Sequence, residues 1–389
     1  MSDHFDLIII GCGGVGSAAA YYAAARGLRV LALERFEPVH ARGSSHGETR
    51  VIRQAYFEHP DYVPLLKRAY DLWHQFEGQV ARKLFYRTGL LEVGPESGVL
   101  IQGVRQSAAQ HQLSLDEIPR VEFTDRFPGF VLPEDSVAVH ESNAGFLLVE
   151  ECIRHYISEA RRLGGDLRFN QQVRGWSVQD EEVCVRTDNE KFRAPRLVIT
   201  AGAWANELLA DLGLPLRVLR KHLHWYPVKT SDAYHLDTNS PTFFYETSAG
   251  YYYGFPVRDA RGLKVAQHSG GDTVRDPLNV DRSVDVAERQ QVDRFLRLHL
   301  PTVAIPATDH AVCMYTMSPD EHFIIDRHPR HPQIAIAAGL SGHGFKFASV
   351  LGESLAQLAI DGEAKLPMKF LSLQRFVHCF HPPLATGQS

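Results

Sequence analysis

Two arginines, Arg50 and Arg53, stand three residues apart and share a side if the segment turns helically, poised for an anion. The same pair also reads as ordinary solvated arginines. Further on, strand alternation puts Tyr251, Tyr253 and Phe255 on one face, and Lys264, Ala266 and His268 on one face of the strand expected to pair with it. One surface would then carry aromatics, an amine and an imidazole. A half-buried sheet with a snorkelling lysine and a satisfied histidine fits the same spacing. Lys346 lies just inside a C-terminal helix, a fixed positive charge suited to a carboxylate or simply a solvated lysine. Cys313, within Ala311 to Thr316, reads by composition as a buried small hydrophobe.

The elements that must position these groups begin at the N-terminus. Asp6 to Ile10 is an apolar run that reads as a buried strand, followed by Gly11, Gly13 and Gly16, an Ala-rich helix expected over Ser17 to Arg26, and a second strand ending at Glu34. This is a dinucleotide fingerprint. Gly11 makes the tight turn, Gly13 lets backbone approach a pyrophosphate, and Gly16 lets the helix pack closely. The helix N-terminus offers free N–H groups and the positive end of its dipole to phosphates, while Glu34 is placed to accept from ribose hydroxyls. At the far end Ile334 to Ala338 reads as a buried strand, Gly339 to Gly344 as a second glycine turn, and Phe345 to Ile360 as a helix. That second turn, carrying Gly342 and Gly344, suits a helix N-terminus beside a flavin ring, which favours FAD over NAD.

Length and charge narrow the class. The chain has 389 residues and a formal charge of −5, with no Lys/Arg block, so nucleic acid and anionic membranes gain no support as partners. A small molecule is the expected partner. The first strand begins too early for a signal peptide, and the most apolar later stretch, Leu197 to Leu216, is interrupted by Asn206, Glu207 and Asp211. The 5 cysteines are scattered without C-x-x-C spacing, which points to a reducing cytoplasm rather than a disulfide framework or a zinc site. No metal is expected.

The organisation expected is α/β: a Rossmann-like FAD-binding domain and a substrate domain built on a mixed or antiparallel sheet. The cofactor domain is discontinuous, over 1–85, 141–216 and 310–389, with 86–140 and 217–309 forming the substrate domain. Helices are expected over Tyr62 to Phe76 and Glu150 to Leu163, strands over Phe85 to Val93 and Ser136 to His140, and a hairpin between Tyr251 and His268. The polar segment Arg42 to Arg50 reads as a loop or a helix start.

Four separated blocks carry a resemblance: Gly43 to Arg53, Tyr252 to Pro256, Cys313 to Thr316 followed by Pro319 to Asp326, and Gly339 to Lys346. In these the chain resembles the monomeric sarcosine oxidase family of flavoprotein amine oxidases, which includes N-methyltryptophan and pipecolate oxidases. The resemblance implies a covalent FAD thioether at Cys313, a lysine at Lys264 that promotes reaction of reduced flavin with O2, and a carboxylate clamp of Arg53 and Lys346. It places His268, Tyr253 and Tyr315 in the substrate pocket, Arg50 and His46 near the flavin ring, and Thr49 and Val173 among the cofactor contacts. Phe244, or a close neighbour, stands where the sarcosine enzyme has a methionine over the substrate, which alters the pocket. The reaction implied is oxidation of a small secondary amine by a monomeric enzyme, with O2 reduced to hydrogen peroxide. A dehydrogenase passing electrons to a quinone or carrier is the competing enzyme class, and a flavin-binding structural protein the non-enzymatic one.

Overall fold

The computed structural model describes residues 4–228 and 232–379. Leu7–Ile10 is buried on both faces, as a parallel strand covered by helices must be. It lies inside a six-stranded sheet ordered Ile324–His328, His331–Ala338, Leu197–Ile199, Leu7–Ile10, Val30–Leu33, Asp166–Arg168. All pairs are parallel except the first, which is antiparallel. The helix after the first strand runs Gly14–Ala25 and starts a turn earlier than the alanine pattern suggests. Its small side chains let the helix Ala348–Asp361 cross very closely: a Cβ on Gly352 would stand 2.5 Å from Ala18 Cβ.

A second, nine-stranded sheet holds most of the remaining strands. Arg217–Tyr226 pairs with Asp309–Met317 from Arg217 to Trp225, setting Lys221 opposite Cys313. The expected hairpin is present as Gly250–Phe255 and Leu263–Gln267 in antiparallel register, with Tyr253 opposite Ala266 and Phe255 opposite Lys264. Thr242–Thr247 adds alongside, setting Phe244 opposite Tyr253, and then pairs in parallel with Leu90–Pro95. The expected strand over Phe85 to Val93 is thus two strands, Phe85–Tyr86 and Leu90–Pro95, parted at Gly89 with φ +73°. The helices lie over Val63–Val80 and Val149–Arg162.

One local expectation is corrected. Arg50 and Arg53 do not share a helical turn, because Thr49–Ile52 is a strand pairing with Gly145–Leu148, and Arg53 follows its end. The β-branched Thr49, Val51 and Ile52 favour the extended form. Among the described residues no helix is long and apolar enough to cross a membrane.

Candidate functional site

The carboxyl ends of the parallel strands open into one large cavity, where open α/β sheets bind ligands. It encloses about 1840 Å³ of empty space, counting its mouth, and runs from Gly11, Gly13 and Glu34 past Val173 to Gly342, Gly344 and Lys346. Both glycine turns therefore face one space. Gly11 has φ +93°, and a Cβ there would lie 2.5 Å from the Thr200 carbonyl oxygen. Gly16 does not line the cavity; a Cβ on it would stand 1.9 Å from the Gly11 oxygen, so its role is packing beneath the turn. The Glu34 carboxylate accepts from Cys12 N–H at 2.8 Å and Phe36 N–H at 3.1 Å, which holds it at the cavity edge.

At the other end Arg53 and Lys346 are buried rather than solvated. Arg53 Nη2 donates to both Glu58 oxygens at 2.7 and 2.9 Å, and its guanidinium centre lies 4.8 Å from the Tyr56 ring centroid and 5.5 Å from that of Phe244. Burial alone would raise the Glu58 carboxyl, but Arg53, with His343 and Lys346, pulls it down to about 2. Lys346 Nζ donates to the His343 carbonyl at 2.9 Å and to the Tyr56 hydroxyl at 3.4 Å. Burial, with Arg53 nearby, brings its ammonium down to about 7. His343 Nε2 faces the Glu321 carbonyl at 3.0 Å and must carry the proton there, so Nδ1 accepts from Tyr56 Oη at 2.5 Å. Burial keeps this imidazole neutral, down at about 4.

His268, Tyr253, Phe244 and Tyr315 also line the cavity. The hairpin register explains the first two, since side chains of paired strands share a face. His268 Nδ1 lies 3.4 Å from Tyr315 Oη, and burial, with Lys221 close by, pushes its imidazole down to about 3. Lys221 is itself spent on three carbonyls, of His268, Ser269 and Gly270, at 2.9, 2.7 and 3.1 Å. Gly342, with φ +80°, leaves room for Tyr315, whose ring would lie 2.4 Å from a Cβ there.

Several expected site residues sit one layer back. Lys264 faces Phe255, as the hairpin pattern requires, but borders a smaller cavity with Glu48, Thr49 and Trp225. Its Nζ donates to the Gly47 carbonyl at 2.5 Å and to the Thr49 carbonyl and hydroxyl at 3.1 and 3.0 Å, and burial holds its ammonium well below the usual range. Cys313 Sγ accepts from Arg50 Nη2 at 3.3 Å and approaches the Ser44 carbonyl at 3.4 Å; Arg50 and Ser44 line the large cavity, and Cys313 stands behind them. His46 is buried with Nε2 unpartnered and, through burial and then Arg50, pushed down to about 3. Glu58, Tyr56 and His343 were not singled out by the sequence. Their meaning lies in contacts with Arg53 and Lys346, and no local spacing announces it.

The family model of FAD dependent oxidoreductases, DAO, matches residues 6–358. The chain belongs to this family. Among curated relatives, the monomeric sarcosine oxidase of Bacillus sp. (strain NS-129) is 38% identical over 380 residues, covering 96% of this chain and 98% of its own. The N-methyl-L-tryptophan oxidase of Yersinia pestis (strain Pestoides F) is 38% identical over 376 residues, covering 96% and 99%. In fold the chain is similar to L-proline dehydrogenase from P. horikoshii, with TM-score 0.82 at 21% identity over 98% of this chain and 100% of the other. The α/β flavoprotein architecture expected from the glycine turns is the architecture of this FAD-dependent oxidoreductase. Its residues fit the cofactor: the cradle at Gly11 and Gly16 admits no side chain, and the cavity joins that cradle to the second glycine turn.

Proposed function

We propose that the protein oxidises a small secondary amino acid, sarcosine-like in carrying an N-methyl group, and passes the electrons to O2. The observation that carries this reading is the pair Arg53 and Lys346 at one end of a cavity whose other end is the dinucleotide cradle. A carboxylate gripped there leaves its amine beside Tyr253, His268 and Tyr315, which burial keeps uncharged at neutral pH. Burial also favours the unprotonated amine, the form able to give up electrons. Bound FAD would supply the two-electron acceptor. Loss of two electrons and two protons across the C–N bond leaves an imine, which water converts to formaldehyde and the free amino acid. O2 takes the electrons and protons to become hydrogen peroxide.

Gly11, Gly13, Glu34 and Val173 would hold the ADP half, and Arg50, Gly342 and Gly344 would lie toward the flavin. The reading extends to Cys313 as a thioether anchor, because its sulfur stands directly behind the cavity wall at Arg50 and Ser44. It extends to Lys264, buried on the face that carries Phe255, as the amine that serves the oxygen step.

Anaerobic bleaching of the flavin across a panel of N-methyl and cyclic amino acids tests the main reading. Failure of every member to bleach would refute it. Flavin should survive acid precipitation in the native protein and be lost from Cys313→Ala, and retention in that variant would remove the anchor assignment. Lys264→Met should slow reoxidation by O2 far more than reduction by substrate, whereas equal slowing would remove the oxygen role.

A further inference from the structure

Behind the carboxylate clamp lies a carboxyl that the reaction above does not use. Glu92, on Leu90–Pro95, is fully buried, and neither of its oxygens has a hydrogen-bond partner. Leaving such a group unpaired is costly, so its retention calls for a reason. In the sheet Glu92 stands beside Phe244 on one neighbouring strand, and Phe244 beside Tyr253 on the next. All three project from the face that lines the cavity. Glu92 Oε1 lies 3.9 Å from Arg53 Nε, a buried donor that also lacks a partner, while Glu58 occupies Nη2 of the same guanidinium.

We propose that Glu92 is a positioning residue for substrate carboxylates: it holds Arg53 from behind through Nε when an incoming carboxylate takes the place of Glu58. The proposal rests on Arg53 and Lys346 as the carboxylate clamp. Its electrostatics follow from a single positive charge shared among several acids. The charged groups facing Glu92 are Arg53, Glu141 from Ser136–Glu141, and Glu58. Burial raises the Glu92 carboxyl to about 8 against the pull of Arg53, with Glu141 and Glu58 adding to the rise. As the neutral acid, Glu92, now 3.9 Å from Nε, becomes the acceptor for Nε–H once the guanidinium turns from Glu58 to the substrate, and leaves the charge of Arg53 to the ligand. Once ionised, it is a rival anion on the same guanidinium, and the grip on substrate weakens.

The test is calorimetric binding of furan-2-carboxylate, which has no amine to oxidise or titrate, to the holoenzyme. Because Lys346 also titrates, at about 7, the comparison is made in a Lys346→Met background. There the dissociation constant should weaken about tenfold between pH 7 and pH 9.5, as expected for a new like charge a few ångströms from the ligand. Adding Glu92→Gln should remove most of that weakening over the same range. Glu92→Leu in the same background should be equally insensitive to pH but several-fold weaker throughout, and it carries the test if the glutamine variant does not fold. Glu141, raised by burial to about 7, and Lys221, lowered by burial to about 8, titrate alike in both proteins, so an equal weakening with and without the Glu92 carboxyl would overturn the proposal. Arg53→Met is the separate control, since undiminished furan-2-carboxylate binding there would remove the clamp itself.

Discussion

Replacing Glu58 with glutamine should make the protein bind carboxylates more tightly while making the ligand-free protein less stable. In the ligand-free site Glu58 bridges Arg53 at 2.7 and 2.9 Å, with side-chain exposures of 16% and 3%, so solvent screens the pair little. A substrate carboxylate must displace it. The Glu58 carboxyl sits at about 2 against a usual 4.5, a preference for the ionised form of about 3 kcal/mol. Glutamine keeps the shape and one acceptor but loses the charge, and charge-assisted hydrogen bonds are roughly twice as strong as neutral ones. About half the preference, roughly 1.5 kcal/mol, is thereby released to the competing ligand, which is about tenfold in Kd. Arg53 is left underpaired, so the melting temperature falls and recovers when a carboxylate binds. The stabilising effect of Glu58 is complete above about pH 4.5 and is lost as pH falls toward 2, so native and variant should converge in acid. Calorimetry with furan-2-carboxylate at pH 7, beside thermal melts with and without it, reads both effects. A folded Glu58→Gln protein with equal or weaker affinity would refute the reasoning, since Glu58 would then not occupy the place of the substrate.

Other changes probe the cradle and the walls. Gly16→Ala drives a Cβ to 1.9 Å from the Gly11 oxygen and should cost about 3 kcal/mol or more, with loss of bound flavin, whereas Gly27→Ala meets nothing within 4 Å and should cost about 1 kcal/mol; urea unfolding and flavin content compare them. Gly342→Ala should tilt Tyr315 away from His268 and raise the KM for amine substrate about tenfold in steady-state assays corrected for flavin content. Glu92→Gln should gain stability over the native protein as pH rises. A carboxyl raised to about 8 stabilises fully below the unfolded value near 4.5, and that contribution is lost as pH climbs through 8. Melting temperatures at pH 5 and pH 8.5 should therefore show a gap that widens by a few degrees.

Much of the fold was legible because its signals are local. An apolar run, a glycine turn and an alanine-rich helix each fix a conformation within a few residues, and strand alternation alone put Tyr251, Tyr253, Lys264 and His268 on a common surface that the register reproduces. Arg50 and Arg53 show where spacing misleads. Their interval suits a helical turn, but pairing of Thr49–Ile52 with Gly145–Leu148 imposed a strand. The break at Gly89 was hidden for a related reason: both halves of the segment alternate, and only their different sheet partners reveal two strands.

The sequence by itself determined the chemistry on offer: a dinucleotide cradle, a second glycine turn, two cations suited to a carboxylate, and a cysteine within a recognisable block. Only the tertiary structure decided which charges meet. Arg53 faces Glu58 and Glu92, Lys346 leans on Tyr56 and His343, and Cys313 lies against Arg50 across a separation of 263 residues. The reason is physical. Periodicity records which face of an element is buried, whereas the partner of a buried charge depends on how distant elements cross, and burial then sets whether that charge is kept, shared or lost.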